Sequence, residues 1–286
     1  MCTAISDGNI FGRTLDLEYT LGEEIIETDV GFEFKLRHED RVRCEYKIRG
    51  CGIKRDGYPL YYDAANKAGL AIAALNFPCS AKYGTDKSKG HTLASFEVIP
   101  AVLAKCTNLK SAIEYLTDVG ISDEAFSDNL PASKLHWMIA DKDGAAVLES
   151  TKSGIHIYEN PFRILTNEPE FPYHRANAAF YMHLSPTPPR NTLCPNIPLP
   201  YISHSLGAQG LPGDNSSPSR FIRALFNLKS TIPETEPNEK INRFFHIAAT
   251  VSQPNGTSYT PDGKPIKTVY TVCYDLDRFE IFLRKY

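Results

Sequence analysis

Strand-forming runs broken by turn residues open the chain. Thr3-Ala4-Ile5-Ser6 and Asn9-Ile10-Phe11-Gly12 flank Asp7-Gly8, and Asp-Gly between two such runs predicts a hairpin with those two residues as its loop. Ser6 then pairs with Asn9, and Cys2 lies opposite Arg13. A second strand pair is predicted at Pro59 to Ala64 and Leu70 to Phe77, turning through Asn66-Lys67-Ala68-Gly69. Residues 94–118 read as helix in two pieces, with Leu109, Ala112, Ile113 and Leu116 on one buried face. A further hairpin runs from Leu135 to Ala140, turns at Asp141-Lys142-Asp143-Gly144 and returns through Ala145 to Leu148. Residues 173–184 form a short helix. Ser217-Pro218, an N-cap followed by proline, opens a helix through Phe226. Another helix covers about 238–252, and the chain closes in strands at 266–274 and 278–284.

Between Ser185 and Ser216 the pattern breaks down: seven prolines and, near the far end, three glycines exclude regular structure. With no internal repeat and no linker, residues 1–286 are expected to form one domain of layered strands and helices.

Composition narrows the possibilities. Hydrophobic residues make up 42% and charged residues 23%, enough apolar surface for a core. A formal charge of −3 offers no electrostatic footprint for nucleic acid or an anionic membrane. No apolar run approaches the roughly 20 residues of a membrane span, and the first residues lack the basic and apolar regions of a signal peptide. Seven scattered cysteines without a C-x-x-C pair fit a reducing cytoplasm. Eight histidines, none spaced H-x-x-x-H, give no metal signature, so no metal or other cofactor is expected. His136, beside Trp137, reads as a satisfied core residue. Gly84 to Gly90 lacks the ending of a phosphate loop, and the glycosylation patterns at Asn215 and Asn255 mean nothing without secretion.

Candidate chemistry begins at Cys2. A small residue at position 2 lets the initiator methionine be removed, leaving a free α-amine of pKa about 7.7–8.0 that can serve as a general base near neutral pH. Nucleophile and base then share one residue. With Arg13 opposite, a guanidinium beside the thiol favours the thiolate, and Asp16 is placed to hydrogen-bond the α-ammonium. The other six cysteines read as inert thiols.

The opening Met1-Cys2-Thr3, with Phe11-Gly12-Arg13-Thr14-Leu15-Asp16, resembles the choloylglycine hydrolase family of bile salt hydrolases and penicillin V acylases. The likeness continues through Asp63-Ala64-Ala65-Asn66-Lys67-Ala68-Gly69-Leu70 and Leu75-Asn76-Phe77-Pro78. It recurs at Leu135-His136-Trp137, Leu165-Thr166-Asn167-Glu168-Pro169, Gly210-Leu211-Pro212-Gly213-Asp214 and Ser219-Arg220-Phe221. These segments keep their order over nearly the whole chain.

The resemblance implies an α+β fold, the four-layer αββα sandwich of N-terminal nucleophile hydrolases, and cleavage of an amide through a thioester. By matched position Cys2 is the nucleophile with Arg13 and Asp16 as its nearest partners. Asn167 supplies a side-chain oxyanion donor, Asn76 a backbone N–H, and Arg220 the second arginine. It also implies a small-molecule substrate, a conjugated bile salt, and a homotetramer. Asn76 favours bile salts, because several penicillin V acylases of the family carry tyrosine at that position. The Pro-rich stretch 185–216, with Leu193, Ile197, Leu199, Tyr201, Ile202 and Leu206, is expected to wall the substrate cleft; the alternative for it is a subunit contact. The segment between about Gly31 and Arg55 and the C-terminal end are shorter than the family pattern. Penicillin V or an N-acyl homoserine lactone with the same chemistry, and a non-catalytic binding protein of this fold, are the competing readings.

Overall fold

The computed structural model describes residues 1–84 and 90–286, so most of the Gly84 to Gly90 stretch lies outside the described residues. Strands β1 (Cys2–Asp7) and β2 (Ile10–Leu17) make the opening hairpin. Strand β3 (Glu24–Thr28) follows, then a small pair, β4 (Glu33–Lys35) and β5 (Arg41–Arg43). A meander of β6 (Ile48–Arg55), β7 (Tyr58–Asn66) and β8 (Ala71–Asn76) leads to β9 (His91–Ala94). Helices α1 (Val98–Lys105) and α2 (Leu109–Thr117) come next, and β10 (Val119–Ser122) returns parallel to β9. Then come β11 (Leu135–Ala140), β12 (Ala145–Thr151), β13 (Gly154–Glu159), β14 (Ile164–Leu165) and α3 (Phe171–Ala178). After an irregular stretch the chain ends in α4 (Ser217–Ser230), α5 (Pro237–Ala249), β15 (Ser258–Tyr259), β16 (Pro265–Asp275) and β17 (Glu280–Lys285).

Two sheets dominate. The first has the order β14-β1-β2-β16, with β15 and β17 also on β16; the second runs β13-β12-β11-β8-β7-β6-β3. One buried cluster joins Ile5, Phe11 and Val272 of the first sheet to Leu75, Met138 and Val147 of the second, and continues to Phe244 and Phe245 of α5. Another packs Ile72, Trp137 and Ile139 on the opposite face of the second sheet against Val98, Val102 and Leu116 of α1 and α2. Helices therefore cover both outer faces, and the αββα layering is as expected. Because β8 and β11 are buried on both faces, they read as continuous apolar runs rather than alternating ones.

The register of the first hairpin differs from the expected one. The loop is Gly8-Asn9, Asp7 pairs with Ile10, and Cys2 lies opposite Leu15. Gly8 has φ +58° and occupies the first loop position, the place a type II′ turn reserves for glycine; a loop starting at Asp7 would have needed positive φ at an aspartate. The slip moves the pairing by two residues, so Arg13 stays on the same face as Cys2 but diagonal to it. Gly12 is required by crowding: a Cβ there would lie 2.1 Å from the Val272 carbonyl oxygen and 2.4 Å from the Phe244 ring.

Helix α4 also departs from expectation. Its N-cap is Ser216 rather than Ser217, and it runs to Ser230. The Ser217 hydroxyl is already engaged, accepting the Asn167 N–H at 2.8 Å and donating to Thr166 Oγ1 at 2.9 Å.

Candidate active site

Cys2 begins β1, and its diagonal neighbour Arg13 crosses the gap between the sheets. The Arg13 guanidinium is buried; Nη1 donates to the carbonyl oxygens of Ala74 (2.6 Å) and Tyr62 (3.3 Å), and Nε donates to that of Thr14 (3.2 Å). Nη2, also buried, has no hydrogen-bond partner among the described residues. Asp63 on β7 lies 3.8 Å from Nη1 and is the carboxylate paired with Arg13. Burial opposes the Arg13 charge, but Cys2, Tyr270, Asp63 and Asp16 hold its pKa above the ordinary guanidinium value.

Successive strand residues face opposite sides of the sheet, so Asp16 does not share the Arg13 face. Its carboxylate accepts from Thr268 Oγ1 (2.7 Å), Gln253 Nε2 (3.1 Å) and Thr14 Oγ1 (3.3 Å). The nitrogen of Cys2, a peptide N–H while Met1 is attached, donates to Asn167 Oδ1 at 2.7 Å.

Asn167 is the hub. Strand β14 pairs with β1 through Ala4 and Leu165, which delivers Thr166 and Asn167 beside Cys2. Asn167 Oδ1 also accepts from Arg220 Nη2 (2.7 Å), and Nδ2 donates to the Asn76 carbonyl oxygen (2.8 Å). An amide nitrogen has two protons, so one bond to Asn76 leaves a second N–H. The backbone of Asn167 is fixed by Ser217 Oγ and by His174 Nε2, which donates to its carbonyl oxygen at 3.0 Å. Glu168 accepts from the N–H groups of Cys79 and Ser80 and from the Ser80 hydroxyl, tying this segment to the end of β8 where Asn76 sits.

Arg220, in the first turn of α4, is fully buried. Its Nη1 donates to the Cys2 carbonyl oxygen (2.6 Å) and Thr3 Oγ1 (2.7 Å), and Nε to the Asn215 carbonyl oxygen (3.0 Å). Burial lowers its pKa, and Asp16 and Cys2 counter that effect. His136 is a satisfied core residue as expected, bonded to Glu149 Oε1 (3.0 Å) and the Thr166 carbonyl oxygen (2.8 Å) and stacked on Phe77. His174 is also buried, and desolvation brings its pKa down to about 4.

Cys2, Arg13 and Asn76 line a cleft of about 390 Å³. Its walls are apolar: Leu17, Tyr19 and Leu21 on one side, Phe96 and Ile99 near α1, and Phe126, Leu130 and Pro131 before β11. The expected wall from the Pro-rich stretch is corrected here, since none of residues 185–216 lines the cleft. Leu193, Ile197, Leu199, Tyr201 and Ile202 are exposed instead. All seven cysteines are free thiols.

Cys2, Arg13, Asn76, Asn167 and Arg220, five of the six residues named from the sequence, thus come together where β1, β2, β8, β14 and α4 meet, while the Asp16 side chain lies on the other face of β2. Sequence reasoning did not single out Asp63, Tyr270, Tyr274, Gln253, Ser217 or His174 as site residues. The available signal was a lone aspartate in the otherwise uncharged strand run Tyr58-Pro59-Leu60-Tyr61-Tyr62-Asp63-Ala64-Ala65.

A four-layer αββα sandwich with a cysteine at the head of an inner strand is the architecture of an N-terminal nucleophile hydrolase. Within that class the chain belongs to the choloylglycine hydrolase family of linear amide C–N hydrolases, whose family model matches residues 2–286. It is 36% identical to a bile salt hydrolase/transferase of Lactiplantibacillus plantarum, over 100% of this chain and 89% of the relative. It is 34% identical to a conjugated bile acid hydrolase of Lactobacillus acidophilus, over 96% of this chain and 89% of the relative. Among solved structures, the C2A mutant of conjugated bile acid hydrolase from Clostridium perfringens superposes with a TM-score of 0.89 at 30% identity, covering 100% of this chain and 89% of the other. Penicillin V acylase from Agrobacterium tumefaciens shares the fold, with a TM-score of 0.78 at 21% identity over 100% and 83% of the two chains.

Proposed function

We propose that this protein hydrolyses the amide of glycine- or taurine-conjugated bile salts, with Cys2 as nucleophile once Met1 has been removed. The observation that carries this reading is the largely apolar cleft that Cys2, Arg13 and Asn76 line. A bile salt presents a rigid apolar steroid joined through one amide to an anionic tail, which suits an apolar pocket with a few placed polar groups. The relatives named as bile salt and conjugated bile acid hydrolases support the same substrate class.

In this mechanism the α-amine of Cys2, held by Asn167 Oδ1, takes the thiol proton, and the thiolate attacks the amide carbonyl. The oxyanion accepts from the Asn76 backbone N–H and the second N–H of Asn167 Nδ2. Collapse breaks the C–N bond as the α-ammonium protonates the departing amine, leaving the acyl group on Cys2 as a thioester. Water, deprotonated by the α-amine, hydrolyses it and restores the thiol. Arg13 and Arg220 hold positive charge about Cys2, and Asp16 balances it from the other face of the sheet.

The test is a substrate panel on processed enzyme, reading liberated amine. Glycocholate and taurocholate should be cleaved with a higher kcat/KM than penicillin V, and the reverse order would overturn the substrate assignment. We place the enzyme in the cytoplasm, where free thiols persist, and as a single catalytic unit spanning residues 1–286. We also assign it a homotetramer by its family resemblance; the exposed apolar side chains of the Pro-rich stretch supply a surface for a subunit contact.

A further inference from the structure

Asp63 sits on β7, fully buried, where the two sheets face each other. Both carboxylate oxygens are taken by tyrosines of β16 in the opposite sheet. The Tyr270 hydroxyl donates to Oδ2 and the Tyr274 hydroxyl to Oδ1, each at 2.5 Å. Tyr270 and Tyr274 are four residues apart on one strand and so share a face, and both are buried. Hydroxyls donating to both oxygens favour the charged carboxylate. Burial pushes the Asp63 carboxyl up, and Arg13 and the two tyrosine hydroxyls pull it back towards the charged form.

The geometry accounts for how a buried Arg13 is held in place. Its hydrogen bonds go to the backbone oxygens of Thr14, Tyr62 and Ala74, which carry no net charge. The charge is balanced by Asp63 at 3.8 Å from Nη1, while Nη2 has no hydrogen-bond partner among the described residues. An uncompensated guanidinium in this interior would move towards another acid, and Asp16 is the other carboxylate that acts on it.

We infer that Asp63, clamped by Tyr270 and Tyr274, is a positioning residue that anchors Arg13 beside Cys2 with Nη2 free for the reacting centre. The inference rests on the proposed role of Arg13 at Cys2. It adds a second function for the contact between β7 and β16: the clamp fixes one sheet against the other at the point where the site straddles them.

The experiment compares Asp63→Asn in the wild-type and Arg13→Gln backgrounds, reading kcat and KM on the conjugate the enzyme cleaves best, with thermal melting to report folding. A misplacement of about 1 Å at a reacting group can cost about 10²-fold, so Asp63→Asn should lower kcat by about that factor with KM little changed. Because Asp63 acts through Arg13, the same change in the Arg13→Gln background should cost less than about two-fold. Tyr270→Phe and Tyr274→Phe keep the packing and remove one hydroxyl each; they should lower kcat about ten-fold with the same dependence on Arg13, and they decide the matter if Asp63→Asn does not fold. Wild-type kcat in all three variants, or losses that simply multiply with that of Arg13→Gln, would overturn the inference. If Arg13→Gln alone leaves kcat unchanged, it is the catalytic reading of Arg13 that fails, and this inference with it.

Discussion

The site is decided by a handful of side chains, and its weakest point energetically is not its weakest point chemically. Cys2→Ala removes one sulfur atom from a side chain that borders a cleft, so the protein should fold and melt near the wild-type temperature while turnover is lost; alkylation should inactivate the wild type in proportion to modification of Cys2. Asn167→Ala should lower kcat by about 10²–10³-fold, the usual cost of deleting one oxyanion donor. His174 bears on stability rather than chemistry. It is buried, Nδ1 has no hydrogen-bond partner among the described residues, and burial brings its pKa from 6.5 down to about 4. Unfolded chains bind a proton at this residue below pH about 6.5, whereas the folded chain does so only near pH 4. The stability present above pH 6.5 is therefore lost as pH falls through that window, by up to about 3 kcal/mol. Urea titrations at pH 7 and pH 4.5 check it: His174→Gln, which keeps a donor for the Asn167 carbonyl, should lose less stability on acidification than the wild type. The six residues named from the sequence were named because motif and chemistry coincide in them. Asp63, Tyr270 and Tyr274 were not, because an aspartate and two tyrosines owe their importance to a contact between strands some 200 positions apart, and periodicity carries no information on such pairs.

Strands and helices came through with few changes, and the exceptions share a cause. The first hairpin slipped by two residues because the loop type depends on which side of Gly8 the positive φ falls, a backbone matter that the Asp-Gly pair leaves open. The slip preserved side-chain parity, so Arg13 and Cys2 still share a face. Helix α4 began one residue early because Ser217 had a tertiary partner in Asn167. The Pro-rich stretch was assigned to the wrong surface: apolar composition says that a loop will bury something, not what. The cleft walls come instead from turns far apart in sequence, around Tyr19, Phe96 and Leu130. Truncating one of these, as in Tyr19→Ala or Leu130→Ala, removes contact area worth about 1.5 kcal/mol. KM for glycocholate should rise about ten-fold while kcat changes little, and steady-state kinetics on the two variants would read it directly. A drop in kcat without a change in KM would place the steroid elsewhere.

Whole-molecule architecture explains why a surface loop could be left so apolar. Both faces of each sheet are already covered by other layers, so of residues 185–216 only the far end, at Leu211, packs against the core, and the apolar side chains from Leu193 to Ile202 stay outside. Leu193 is 93% exposed and Ile202 78%. Apolar side chains clustered on a monomer surface are normally covered by a partner, and closed symmetric assemblies are the common outcome. The homotetramer that the family resemblance implies predicts that the 31.9 kDa chain elutes in light-scattering chromatography at about four times its own mass. Leu193→Ser with Ile202→Ser should shift that mass downward. Because this stretch contributes nothing to the cleft, the smaller species should keep its KM for glycocholate, which separates a subunit contact from a substrate wall in one experiment. Monomeric mass in the wild type would refute the assembly, and a raised KM in a variant of unchanged mass would return the loop to the substrate.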